Sequence, residues 1–163
     1  MYKKTFQFLP ILGGIFVLIL LISCGRTSSA LKDGYYSAVT AEFDKYGWKE
    51  CLSVYVSGGS IILVEYNAFN AAGFIQSWDM DLMRNMNAAN GTYPNAYSRQ
   101  YARQLLEHQS AEGIDAISGA SYSHLIFTVL AGAVLASSRL GNNDTAVVHL
   151  DEEAMAALDK VRL

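Results

Sequence analysis

A long apolar segment, residues 125–140, sets the architecture that this chain can adopt. Its central letters, LIFTVLAGAVLA, are apolar on nearly every face of a helix, which is typical of a helix buried on all sides. We count about a dozen apolar residues, whereas a membrane span takes roughly 20. We therefore expect a buried core helix that is ended by Gly141, with Ser121 or Ser123 as its N-cap.

Three β-rich segments precede this helix, at residues 35–43, 48–56 and 61–66. The letters DKYG at 44–47 and SGGS at 57–60 are strong turn signals. In the second segment the residues alternate between two faces, with period two, as expected of a half-buried strand. Strands joined by such short turns predict an antiparallel meander.

The rest of the chain is mostly helical in pattern. Helices are predicted at residues 79–86 and 95–109 after a loop at 67–77, with Asp79 as a candidate cap and Pro94 near the second helix start. In the second helix an apolar stripe is formed by Tyr97, Tyr101, Leu105 and His108. A last strand is expected at 145–150 and a short amphipathic helix at 151–161. The fold class is therefore α+β, an antiparallel meander packed against helices, with one long buried helix.

The N-terminus has the pattern of an export signal. Lys3 and Lys4 precede an almost continuous apolar run at residues 8–22, which suits the hydrophobic region of a secretory signal. The run ends in Leu-Ile-Ser-Cys, with Cys24 in the register of a bacterial lipobox. We interpret residues 1–23 as a lipoprotein signal peptide, Cys24 as the lipidation site, 24–31 as a tether, 32–148 as the folded domain and 149–163 as a C-terminal extension. An uncleaved anchor, or an ordinary signal with a chance cysteine, are the alternatives.

Composition excludes several functional classes. A net charge of −3 argues against a broad nucleic-acid-binding surface. Two cysteines exclude a disulfide-dense scaffold and a four-cysteine zinc site, and the three histidines lack metal-ligand spacing. The chain has neither a G-x-G-x-x-G fingerprint nor a G-x-S-x-G hydrolase motif. We therefore expect no metal site and no catalytic residue of its own, and we assign Cys51 no role.

The chemistry-bearing stretch is a small-residue turn that runs into the start of the long helix. Gly119 and Ala120 allow close approach of the backbone to a ligand, and three serines, Ser118, Ser121 and Ser123, lie around them. The unpaired amides of a first helical turn suit a phosphate group. An ordinary helix cap is the alternative interpretation of the same residues.

This stretch resembles the flavinylation motif of the extracytoplasmic FMN-binding domain family. The motif is Asp, two residues, Ser or Thr, Gly, Ala, then Thr or Ser, and it matches Asp115, Ser118, Gly119, Ala120 and Ser121. The family includes domains of the Rnf complex and of the sodium-pumping NADH:quinone reductase. The resemblance implies FMN joined to Ser121 by a phosphoester that a separate flavin transferase forms from FAD, using a divalent metal.

The resemblance extends over residues 32–148. The letters KDGYY at 32–36, GWKE at 47–50, and Gly73, Ser77 and Asp79 are similar to the small lipoprotein branch of that family, which includes the spirochaete major membrane immunogens. Ser123 and His124 match the Ser-His pair that often follows the motif there. The resemblance implies a membrane-anchored, extracytoplasmic electron carrier rather than a stand-alone enzyme, with redox proteins or the quinone pool as partners.

In that interpretation, Ser118 and Ser123 would assist in holding the phosphate, and His124 would donate to it or pack against the flavin ring. Asp115 would organise the turn or serve recognition by the transferase. An aromatic platform for the flavin ring would come from Tyr46, Trp48, Phe74 or Trp78. Two alternatives stay open: a non-redox surface or periplasmic binding lipoprotein with the same fold, and a domain that binds free flavin reversibly.

Overall fold

The computed structural model describes residues 30–150. In chain order the elements are β1 (Gly34–Thr40), β2 (Lys49–Ser57), β3 (Ser60–Phe69), a 3-10 turn (Gln76–Trp78), α1 (Met80–Asn90), α2 (Pro94–His108), α3 (Ser121–Leu140) and β4 (Ala146–Val148). The signal peptide, the lipidation site Cys24 and the helix expected at 151–161 lie outside the described residues.

The first three strands form the expected antiparallel meander. Asp44 shapes the turn between β1 and β2, because its Oδ1 accepts hydrogen bonds from Tyr46 N (2.8 Å) and Trp48 N (2.9 Å). The hairpin between β2 and β3 turns at Gly58 and Gly59, whose φ angles of 60° and 75° are those of a left-handed two-residue turn. The prediction of a meander is confirmed.

The sheet is mixed rather than purely antiparallel. Its strand order is β3-β2-β1-β4, and β4 pairs in parallel with β1, Val147 lying opposite Val39. This strand follows α3, which carries the chain back across the sheet, so β4 runs in the same direction as β1. The predicted last strand exists, although it is shorter than residues 145–150.

One face of the sheet carries the core. The inward side chains of β2, which are Leu52, Val54 and Val56, are fully buried. Helix α3 packs over β1 and β2, and α2 packs over β3. Between them lies an aromatic group in which the Phe127 ring contacts Tyr66 (centroids 4.8 Å apart) and Tyr101 (5.2 Å). The α+β class and the long buried helix are therefore confirmed.

Helix α3 begins one turn earlier than predicted, and neither serine caps it. Its N-cap residue is Ala120, without a side-chain hydrogen bond, so Ser121 and Ser123 lie inside the first turn. The helix ends at Gly141, in a left-handed conformation, as expected. With 20 residues, α3 is long and apolar enough to cross a membrane, by length and composition alone. The sheet covers its buried side, which makes it the core helix of this domain.

The other differences lie at element ends. Strand β3 continues to Phe69, into the segment predicted as a loop, because its pairing with β2 extends to Phe69 opposite Lys49. Helix α1 extends to Asn90, and Asp79 caps it as predicted, its Oδ1 accepting from Leu82 N at 2.9 Å. Pro94 is the first residue of α2. The buried stripe of α2 includes Tyr97, Tyr101 and Leu105, whereas His108 is exposed.

Candidate functional site

The turn before α3 is attached to α2 by a glutamine. Asp115 N donates to Gln104 Oε1 at 2.6 Å, and Gln104 Nε2 donates to Asp115 O at 3.2 Å. The backbone N–H and C=O of Asp115 are thus both hydrogen-bonded to Gln104, while the Asp115 side chain is exposed. This pair of hydrogen bonds fixes the N-terminal end of the motif against α2.

Two ring side chains fix the remainder of the turn. The Tyr101 hydroxyl accepts from Ile117 N and donates to Ala120 O, each at 3.1 Å. His124 Nε2 donates to the carbonyl oxygen of Ile114 at 2.8 Å, and its ring lies against Tyr101, with centroids 5.9 Å apart. Because a carbonyl only accepts, this contact places the hydrogen of the His124 ring on Nε2. His124 thus holds the turn from the side of α3.

The glycine of the motif is required by packing as well as by conformation. Gly119 has a φ of 79°, in the left-handed region. A Cβ at this position would lie 2.4 Å from Asn90 O, at the end of α1. The backbone at Gly119 therefore passes directly beneath the last residue of α1, and no larger residue fits without movement.

The first turn of α3 presents its backbone amides at the end of this clamped segment. The first intrahelical donor is His124 N, which donates to Ala120 O at 3.0 Å. The amides of Ser121 and Ser123 lie in the turn before this donor, where an α-helix forms no backbone hydrogen bonds of its own. Such amides, together with the helix dipole, attract negatively charged groups.

A cavity of about 510 Å³ opens directly in front of this helix start. Ligand-binding cavities usually measure about 300–1,000 Å³. It is lined by motif residues, by the segment around β2, and by α1 and α2, namely Asp44, Tyr46, Trp48, Glu50, Gln76, Leu82, Met86, Asn90, Tyr97, Gly119, Ala120, Ser121, Tyr122 and Ser123. The cavity therefore joins a polar helix start to aromatic walls.

Two of the four aromatic candidates reach this cavity. Tyr46 and Trp48 line it, Tyr46 being largely exposed and Trp48 half-buried. Phe74 is exposed in the loop after β3, and Trp78 lines a different cavity, beside Cys51. Any flat ring bound in front of α3 would therefore meet Tyr46 and Trp48 rather than the other pair.

A carboxylate lies in the wall of the cavity and is bound to a buried tyrosine. The Tyr66 hydroxyl donates to Glu50 Oε2, and it also lies 3.1 Å from the carbonyl oxygen of Ser123. Burial raises the pKa of Tyr66 well above its usual value, and the nearby Glu50 carboxylate adds to this shift. Tyr66 is therefore a neutral hydrogen-bond donor throughout the physiological pH range.

Tyr97 on α2 is also a neutral hydroxyl group near Glu50. Burial is the largest cause that raises the pKa of Tyr97, and the Glu50 carboxylate again contributes. Its hydroxyl lies 3.1 Å from Gln76 Oε1. The lining of the cavity thus holds the Tyr97 hydroxyl and the Glu50 carboxyl group, and the Tyr66 hydroxyl donates to that carboxyl group without lining the cavity itself.

The structure separates the residues that the sequence suggested. Gly119, Ala120, Ser121 and Ser123 line the cavity. Asp115, Ser118 and His124 lie outside its lining, and Asp115 and His124 serve the turn through the hydrogen bonds described above.

Sequence reasoning missed Glu50 and Tyr66. A sequence signal for Glu50 was present. Glu50 lies on the same face of β2 as the buried Leu52 and Val54, at a position where an apolar residue is expected. Tyr66 gave no such signal, because a tyrosine in a strand is ordinary core composition.

Comparisons with known proteins place the chain in a family. No protein-family model matches it. It is 35% identical over 135 residues to the 15 kDa lipoprotein of Treponema pallidum, an alignment that covers 82% of this chain and 96% of that protein. The crystal structure of the CPE2226 protein from Clostridium perfringens superposes with a TM-score of 0.72 at 37% identity, covering 74% of this chain and 99% of that one. The chain belongs to the family of the Treponema pallidum 15 kDa lipoprotein.

Proposed function

We propose that this protein is a membrane-anchored, extracytoplasmic flavoprotein that holds FMN covalently on Ser121 and transfers electrons. The observation that carries the proposal is the cavity in front of α3, where Ser121 lies beside the open helix start and faces aromatic walls. The similarity to a lipoprotein supports the anchored state, with Cys24 as the acylated residue.

The residues present fit such a group. The amides of the first turn of α3 would hold phosphate oxygens, and the Ser121 hydroxyl lies in the same lining. Tyr46 and Trp48 supply apolar faces for a flat ring. Asn90 and Gln76, also in the lining, offer amide groups that would hydrogen-bond its polar edge. The volume of about 510 Å³ lies in the range of cofactor sites.

The attachment would be a phosphoryl transfer. Ser121 Oγ would attack the phosphorus on the FMN side of FAD, so that a new Oγ–P bond would form as the bond to the bridging oxygen breaks. AMP leaves with that oxygen, and the hydroxyl proton of Ser121 is lost to a base. A separate flavin transferase with a divalent metal would catalyse this step. Bound FMN supplies redox chemistry that the protein side chains lack, while the protein binds, orients and tunes it.

A covalent link suits a protein outside the cytoplasm, because a flavin lost there is not easily replaced. Its electron partners would be redox proteins at the same membrane or the quinone pool. The clamped turn would keep the acceptor serine at a fixed place relative to Tyr46 and Trp48, which favours a defined flavin orientation.

A pair of serine variants tests the acceptor. The protein is co-expressed with a flavin transferase, and in-gel flavin fluorescence is measured after denaturation. Ser121→Ala should abolish the covalent fluorescence, whereas Ser137→Ala, at the far end of the same helix, should keep it. Fluorescence retained in Ser121→Ala would refute the assignment. Yellow protein that loses its colour on denaturation would favour reversible binding, and colourless wild-type protein would favour a non-redox lipoprotein.

A further inference from the structure

Glu50 is a charged residue on a strand face that is otherwise apolar. Leu52, Val54 and Val56 follow it at the same phase of β2, and all three are fully buried beneath the helices. A carboxylate at such a position is costly unless it is hydrogen-bonded. Departures from the apolar pattern of this kind are most often found at functional sites.

The partner of Glu50 connects it to the first turn of α3. The Tyr66 hydroxyl has one hydrogen and two acceptors within reach, Glu50 Oε2 and the carbonyl oxygen of Ser123. An ionised Glu50 is the stronger acceptor. Protonation of Glu50 weakens its hydrogen bond from Tyr66 and so favours donation from the hydroxyl to the Ser123 carbonyl oxygen instead. The charge of Glu50 is thereby linked to the helix start that carries Ser121.

Glu50 also lies between two cavities. It lines the cavity that contains Ser121, and it lines a neighbouring, more apolar cavity of about 460 Å³. Trp48 and Tyr122 belong to the same dividing wall. A negative charge in that wall acts on a ligand from within the protein, where screening by water is weaker than at the surface.

We propose that Glu50, held by Tyr66, sets the reduction potential of the flavin in this cavity and takes up a proton when the flavin is reduced. This rests on the proposed function. Two electrons arrive from an external electron donor and one proton from solvent joins the flavin itself, which leaves one added negative charge on the reduced flavin. A second proton from solvent adds to Glu50, which becomes a neutral carboxylic acid. The added negative charge in the cavity is thus offset at Glu50. With Glu50 ionised, reduction is disfavoured by the repulsion between like charges.

Other titratable and charged groups face the same region from the elements around it. The segment between β1 and β2 contributes Glu42, Asp44, Lys45 and Tyr46. The helices contribute Tyr97, Tyr101 and Tyr122, and the segment directly after β4 contributes His149. Cys51, next in the strand, also feels the Glu50 charge. Glu50 differs from all of these in its direct hydrogen bond to Tyr66, so a substitution at Glu50 isolates its contribution.

The test compares reduction potentials of flavin-loaded variants over a range of pH. Wild type, Glu50→Gln and the control Glu65→Gln are titrated spectroelectrochemically from about pH 5 to about pH 9. Glu65 lies on β3 outside both cavities, and its substitution by glutamine removes one negative charge, as Glu50→Gln does. Glu50→Gln should favour the reduced form about tenfold at the alkaline end, or about 30 mV for a two-electron couple. The difference should shrink towards acidic pH, and Glu65→Gln should follow wild type.

Two further variants guard against a purely structural explanation. Glu50→Asp keeps the carboxylate and should restore much of the wild-type pH dependence. Tyr66→Phe removes the shared hydrogen and should alter the pH profile while leaving the flavin attached. Wild-type protein without flavin would overturn both the proposed function and this inference. Flavin-loaded Glu50→Gln that titrates like wild type at every pH would overturn this inference alone.

Discussion

Gly119 shows how closely the motif turn is packed. Its φ of 79° and the 2.4 Å approach that a Cβ would make to Asn90 O are two separate barriers to any other residue. Its place in the motif therefore has a structural cause that does not depend on a ligand. The loop before α3 and the end of α1 form one unit through this contact.

Substitution of this glycine should destabilise the domain. Gly119→Ala should lower the free energy of unfolding by about 1–3 kcal/mol, because it places a side chain in a left-handed conformation and against a backbone carbonyl. Gly132→Ala is the matched control, since Gly132 is exposed within α3 and a Cβ there meets no atom within 4 Å. That change should stabilise the helix by about 0.5–1 kcal/mol. Urea unfolding of both variants measures the difference, and equal stabilities would contradict the packing account.

Among the helices and strands, α3 packs against the largest number of strands. Its buried side contacts β1, β2 and β4, and its first turn borders the cavity. The same helix therefore carries both the core and the proposed attachment site. A change deep in α3 tests the core without touching Ser121.

Leucines at two places on α3 provide a direct comparison. Leu130 is 0% exposed and Leu140 is 74% exposed. Leu130→Ala should cost about 2–5 kcal/mol through lost contacts and a residual cavity. Leu140→Ala should change stability by no more than about 0.5 kcal/mol, as is usual for surface positions. Thermal and urea unfolding give both values, and similar losses in the two variants would show that α3 is not the core helix.

The sequence predicted the elements better than their ends. The apolar run of α3, the SGGS turn and Asp79 carried local signals strong enough to place the corresponding helix, hairpin and cap. The first turn of α3 was missed because Ser121 and Ser123 are typical caps, whereas here Ser123 is buried and its carbonyl oxygen lies within reach of Tyr66. Such a contact joins residues 57 positions apart, so no local pattern reveals it.

The same limit applies to the candidate site, where local sequence could indicate only the residues at the start of α3. Gly119, Ala120 and Ser121 of the motif, and Ser123 just after it, line the cavity because they lie close together at a helix start. The other walls come from β2, α1 and α2, and their meeting depends on how the helices pack. The parallel pairing of β4 with β1 is likewise a property of the tertiary fold, because three residues of strand carry no information about their partner.

The whole molecule contains several buried tyrosines that act together at high pH. Burial raises the pKa of Tyr66, Tyr97 and Tyr101 above the usual value near 10. In the unfolded chain these groups ionise near pH 10, while in the folded protein they keep their protons. Their contribution to the free energy of unfolding is therefore fully present below about pH 10 and is lost as the pH rises further.

Alkaline unfolding should reveal this group. The free energy of unfolding should fall above about pH 10, by up to about 1.4 kcal/mol per pH unit for each tyrosine. Tyr66→Phe should make that decline less steep. Tyr35→Phe is the control, because Tyr35 is 64% exposed on β1. Denaturant titrations at a series of pH values measure the slopes, and a slope unchanged by Tyr66→Phe would contradict the role assigned to its burial.

The proposed attachment of FMN to Ser121 would change the mass of the chain, so an intact-mass measurement examines the attachment itself. The full chain is exported from cells that also contain a flavin transferase, and its mass is measured before and after digestion. We expect an added mass of one FMN less one water, located on the peptide that contains Ser121. An unmodified peptide, in a sample whose transferase labels a known substrate, would contradict it.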